Sequence, residues 1–128
     1  MYKIEIEIYE GKGGQLEKDE SGIIYPDIVK EGICAWMYRG DGESSYHQGQ
    51  RFSYPEDWGR LCPWLASSLD PIIQTLRFGG TLGWQYPNTP YEKEINPEGI
   101  TTEFIRCIDP TESGIVVKVI RTRIKDPL

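Results

Sequence analysis

Isoleucine and charge alternate at the start of the chain. Tyr2, Ile4, Ile6 and Ile8 share one parity and Lys3, Glu5 and Glu7 the other, the period of a strand with one wet face. Between positions 62 and 80 the period changes. Leu65, Leu69, Ile72, Ile73 and Leu76 recur at helical spacing while Ser67, Asp70, Gln74 and Arg77 point elsewhere, which predicts an amphipathic helix over about 62–78. Cys62 followed by Pro63 reads as N-cap and first helical residue, because proline lacks a donor that this position does not need. Gly79-Gly80 supplies the left-handed stop. Pro71 interrupts the ladder at a cost of roughly 3 kcal/mol in a regular helix, so the expectation is a kink, or two short helices with Asp70 capping the second.

Two β-branched runs, 101–108 and 115–124, are separated by Asp109-Pro110-Thr111-Glu112-Ser113-Gly114, a strand–turn–strand pattern. Ile115 to Ile120 is apolar on both faces except at Lys118, as in a central strand covered on both sides. Arg121, Arg123 and Lys125 then share a parity, a basic strip that either holds an anion or forms a solvated, salt-bridged edge. Residues 11–22, GKGGQLEKDESG, hold glycine and charge with almost nothing to bury and predict a flexible acidic loop or the turn of a long hairpin. Ile23-Ile24-Tyr25 before Pro26 suggests a short extended piece. ICAWMY at 33–38 predicts a buried strand, and 46–54 a turn running into another strand. Pro55-Glu56-Asp57 gives a bend, with Trp58 and Leu61 packing beneath the start of the helix. Residues 81–99 form a proline-rich loop around Trp84, Tyr86 and Tyr91, either the rim of a cleft or a plug closing the end of the core. The fold class that follows is α+β: a mostly antiparallel sheet of four or five strands with one major kinked helix on one face, a single domain across 1–128.

Composition narrows the functions. A 128-residue chain buries roughly two thirds of its unfolded surface, enough for one real core. The formal charge of −6 opposes a nucleic-acid role, since phosphate binding needs a concentrated positive surface. The segment MYKIEIEIYE has no apolar run for a signal peptide or a membrane span, so a cytoplasmic location without a membrane partner is expected. No phosphate loop, GxSxG elbow or HExxH motif is present.

Three cysteines without a CxxC pair suit reduced thiols better than a disulfide scaffold. Cys62, at the positive end of the helix, is the thiol with a physical reason to be reactive. If the sheet packs on the start of the helix, Cys34, Cys62, Cys107 and His47 are candidate ligands for zinc or iron. A Cys62–His47 dyad is the corresponding candidate for nucleophile and base. The bland alternative is three buried, small apolar side chains.

These residues resemble a family of small, functionally uncharacterised bacterial and archaeal proteins. The resemblance lies in the order of Cys34, the step from Gly49 to Phe52, Cys62 with Pro63, Gly79-Gly80, Trp84, Cys107 with Asp109-Pro110, and the hydrophobic run from Val116 to Arg121. It implies no activity and directs attention to the three cysteines. Three functions stay open. The first is an accessory protein binding a metal or small ligand in a cysteine-lined cleft, with Trp64, Trp84 and Tyr86 as candidate ligand contacts. The second is a thiol enzyme using Cys62. The third is an interaction protein, a homo-oligomer among the options, that buries those three aromatics against a partner.

Overall fold

The computed structural model describes residues 1–11, 17–24, 47–96, 99–108 and 115–124. The 33–38 segment with Cys34, the 109–114 turn and Lys125 lie outside the described residues. Strand β1 (Tyr2–Glu10) is followed by β2 (Glu17–Asp19) and β3 (Gly22–Ile24), then by β4 (Arg51–Tyr54). A single 3-10 turn at Trp58–Arg60 leads to helix α1 (Pro63–Arg77), and β5 (Ile100–Arg106) and β6 (Val116–Arg123) complete the order. The main sheet is four-stranded and antiparallel in the order β4-β1-β6-β5. Among the described residues this is an α+β fold with one α-helix on a sheet.

β2 and β3 pair separately as a small hairpin whose register runs from Glu17 opposite Ile24 to Asp19 opposite Gly22. The stretch expected to be loop or turn therefore includes a strand. A two-residue connection, Glu20-Ser21, and a positive φ of 127° at Gly22 bring the ends together locally.

One face of the main sheet carries Ile4, Ile6 and Ile8 of β1, Phe52 of β4 and Val117 and Val119 of β6, all buried. Against it α1 lays Leu65, Leu69, Ile73 and Leu76, with Ile72 partly buried at the margin. The helix runs unbroken through Pro71, so the two-helix alternative is not observed. Thr75 Oγ1 donates to the Pro71 carbonyl at 3.0 Å. At the C-terminus Gly79, with φ 89°, donates to Leu76 O at 3.0 Å and Gly80 to Thr75 O at 2.9 Å, the paired bonds of a Schellman stop.

The basic strip is corrected by the register. Arg121 pairs opposite Ile4 and Thr101, on the helix-facing side, and is fully buried. Its Nη1 donates to Leu76 O (2.9 Å) and Gly80 O (2.7 Å), its Nη2 to Thr101 Oγ1 (3.0 Å), and its guanidinium stacks 4.5 Å from the Tyr2 ring centroid. A cation at the negative end of a helix is favourable, and here it adds a second donor to Leu76 O, which already accepts from Gly79 N, and supplies one to Gly80 O just beyond the helix. Arg121 is thus a capping group rather than a surface anion site. Its central strand is covered on both sides, as the apolar pattern predicted: Val116 and Ile120, on the opposite parity, are also buried.

Candidate functional site

The second face of the sheet is built differently. Strand alternation puts Glu5, Glu7, Lys118 and Phe104 there, and Phe104 sits opposite Lys118, which sits opposite Glu7. A bulge at Tyr9 then breaks the alternation of β1, because Ile8 pairs with Val117 but Glu10 pairs with Val116. Two consecutive side chains, Tyr9 and Glu10, consequently face the same side. Tyr9 packs on Phe104 with centroids 4.7 Å apart and on Tyr91 at 6.1 Å, while Tyr91 meets Phe104 at 5.7 Å. These tilted and edge-on contacts are the favourable geometries for aromatic rings.

Tyr91 comes from the 81–96 segment, which is ordered by short-range polar contacts. Thr89 Oγ1 donates to Tyr86 O at 2.7 Å and accepts from Tyr91 N at 3.2 Å, and Lys93 N donates to Gln85 O at 2.9 Å. The segment then runs beside the edge of β5. Thr102 N donates to Glu94 O (2.9 Å), Glu94 N donates to Thr102 Oγ1 (3.0 Å), and Thr101 Oγ1 donates to Asn96 O (3.0 Å). Arg121 holds both ends of this segment, the start through Gly80 O and the end through Thr101.

A cleft of about 200 Å³ opens between the segment and the sheet, lined by Tyr86, Tyr91, Phe104, Arg106 and Val116. Tyr91 Oη donates to Glu10 Oε2 at 2.5 Å, and Arg106 Nη2 lies 3.7 Å from the same oxygen. The Glu10 hydrogen bond raises the Tyr91 pKa above the ordinary tyrosine value, since it favours the protonated phenol and places a negative charge beside any phenolate.

Two features set this site apart from ordinary surface. Tyr86 holds a left-handed backbone, φ 50°, an outlier for a bulky residue that costs of order 1–3 kcal/mol and concentrates at functional positions. Beside it is a buried ion pair: Lys93 Nζ donates to Glu103 Oε1 and Oε2 at 3.0 and 2.8 Å, with side chains only 2% and 7% exposed. The same ammonium lies 5.3 Å from the Tyr86 ring centroid, and Glu103 Oε1 accepts from Phe104 N at 3.2 Å. The ammonium therefore faces one wall of the cleft, the Tyr86 ring, while Glu103 projects from the helix-facing side of β5, opposite Val119. Buried pairs contribute little net stability compared with apolar packing, so fixing the placement of Tyr86 is the role its contacts support.

A larger cavity, about 470 Å³, lies at the other end of β1 between Lys3, Ser53, Tyr54 and Asp57. Two of its polar groups, Ser53 and Asp57, already serve the local turn. Asp57 Oδ2 accepts from Ser53 N at 2.8 Å and Oδ1 from Arg60 Nη1 at 3.3 Å; the Ser53 amide, with Arg60 adding to it, holds the Asp57 carboxyl below its usual range.

The residues singled out in the sequence fall in several places. Cys62 occupies the N-cap position but its thiol makes no capping bond. Cys62 and Cys107, neither in a disulfide, are partly buried against the core. His47 is exposed in the turn before β4, its Nδ1 3.1 Å from the neighbouring Gln48 carbonyl. Among the described residues no group of three His, Cys, Asp or Glu side chains is placed to hold a metal ion; Cys34 lies outside them. Trp64 and Trp84 are exposed and do not line the aromatic cleft, whereas Tyr86 does. Tyr91 belongs to the aromatic loop predicted as a possible rim, but Phe104, Arg106 and Glu10 were not singled out. For Glu10 the alternating pattern pointed to the wrong face, since only the bulge turns it outward.

Among the described residues no helix is long and apolar enough to cross a membrane. No family model, curated protein or solved structure matches the chain, so no relative stands beside the resemblance noted above.

Proposed function

We propose that the protein is a small-ligand-binding protein whose site is the aromatic cleft of Tyr86, Tyr91 and Phe104. The observation that carries this reading is the strained Tyr86 backbone, held beside a cleft by a buried ion pair. Left-handed strain and a desolvated ion pair both oppose folding, and a cleft kept in shape for a ligand accounts for both together. The ligand-binding half of the sequence-based expectation thus moves from the cysteines to the aromatic face.

The test is a titration of the full chain with benzyl alcohol, an uncharged one-ring compound. Saturable binding lost in Phe104→Ala and in Tyr86→Gly is the expected result. Glycine suits the left-handed backbone, so Tyr86→Gly should keep the fold while removing a wall. Binding that is absent in the native chain, or unchanged in both variants, would overturn the reading.

A further inference from the structure

We infer that the ligand of this cleft is a small planar anion, a single aromatic ring bearing one carboxylate; the inference rests on the ligand-binding reading above. Size comes first. A cavity of about 150 Å³ holds benzene, so about 200 Å³ accommodates one ring with a short substituent.

Charge decides the substituent. Arg106 is the charged side chain among the residues lining the cleft. Its guanidinium is open to solvent at 60% exposure, and its 3.7 Å approach to Glu10 is longer than a hydrogen bond. Lys118 Nζ stands 5.9 Å from the Phe104 centroid, adding a second cation to the same wall. Lys93 faces Tyr86, but Glu103 neutralises it. Against these stand Glu10, with one oxygen engaged by the Tyr91 hydroxyl, and Glu7, opposite Lys118 but paired with Arg51 at 3.0 Å. Arg106 and Lys118 thus face Glu10 and a Glu7 that Arg51 already pairs, on a chain whose overall charge is −6.

Three rings and a carboxylate by themselves suit a quaternary ammonium ion. Arg106 and Lys118 oppose that ligand by like-charge repulsion. They favour a carboxylate, which the guanidinium fork can take through two parallel hydrogen bonds, while the ring lies against Phe104 and Tyr86. Arg106 is then the specificity-determining residue and the aromatic walls supply the ring site.

The experiment compares benzoate, benzamide and benzylammonium on the native full chain and on Arg106→Gln and Glu10→Gln. Benzoate should bind about tenfold more tightly than benzamide, the order expected for one charge-assisted contact, and benzylammonium more weakly than either. Arg106→Gln, at an exposed side chain, should erase the benzoate advantage and leave benzamide unchanged. Glu10→Gln keeps an acceptor for Tyr91 while removing the opposing charge, and should strengthen benzoate. Equal binding of all three compounds, or a benzoate preference that survives Arg106→Gln, overturns the anion inference while the ring site stands. Failure of every ring compound to bind overturns both.

Discussion

The two faces of one sheet solve different problems with different residues. The helix-covered face is aliphatic and interchangeable in kind: Ile4, Ile6, Ile8, Val117 and Val119 meet Leu65, Leu69, Ile73 and Leu76. The other face, beneath residues 81–96, uses Tyr9, Tyr91 and Phe104 with Glu10 and Arg106, while the Lys93–Glu103 pair sits at the β5 edge with Glu103 on the helix-facing side, opposite Val119. Aliphatic packing is non-directional and rewards buried area. Rings, hydroxyls and ion pairs demand particular geometry, and that geometry leaves a cleft. On the proposed function, stability and recognition are separated across the sheet, with Arg121 joining the two faces: one guanidinium caps the helix and ties down both ends of the aromatic segment.

Breaking the ion pair should have the largest effect. Lys93→Met leaves Glu103 buried without its cation and should cost about 3–5 kcal/mol, measured by denaturant unfolding. The double variant Lys93→Met, Glu103→Leu sharpens the comparison. It should recover most of that stability, because apolar replacements of buried pairs are often neutral or better, yet bind ring ligands more weakly because Tyr86 loses its neighbour. Full stability with full binding in the double variant would make the pair irrelevant to the site.

On the helix-covered face, Leu69→Ala should cost about 2–5 kcal/mol, as for other emptied aliphatic sites, and leave the affinity of the remaining folded protein for ring compounds unchanged. A loss below about 0.5 kcal/mol, the scale of surface changes, would contradict the packing. Gly79→Ala is milder. The left-handed φ of 89° imposes roughly 1–2 kcal/mol on a residue with a Cβ, although the added carbon meets Tyr2 Oη only at an ordinary 3.4 Å. Its midpoint in urea should fall without a change in slope.

The smallest effect is one of pH. The Tyr91 pKa is raised, first by its hydrogen bond to Glu10. The contact is therefore fully present below the ordinary tyrosine range and is lost as pH rises through the higher folded value. Ultraviolet titration should give a phenolate midpoint above the ordinary tyrosine value, returning toward it in Glu10→Ala. A normal midpoint in the native chain would place Tyr91 away from Glu10.

The aliphatic side was legible because its signals are local and periodic. The alternation of Ile4, Ile6 and Ile8, the helical spacing from Leu65 to Leu76 and the Gly79-Gly80 stop each announce a structure within a few residues. Pro71 left open only whether the helix divides, and it does not. The recognition side was legible in part: an aromatic, proline-rich loop pointed to a rim, and Tyr86 was among the candidate contacts. Its other members depend on long-range register. Glu10 and Tyr91 are far apart in sequence and meet only because the bulge at Tyr9 reverses the parity of β1. Arg121 illustrates the opposite error, since alternation with Arg123 suggested a wet strip where the register to Ile4 places a buried cap. The cysteines drew attention through chemical type, and type carries no information about convergence.

The most direct measurement of the division between the faces is amide chemical-shift mapping of the full chain during titration with benzoate. The account predicts saturable shifts at Tyr86, Tyr91, Phe104, Arg106 and Val116, with Leu65, Leu69 and Ile73 unmoved. Shifts centred on the Ser53–Asp57 turn or on Cys62 and Cys107, with the aromatic face silent, would contradict it.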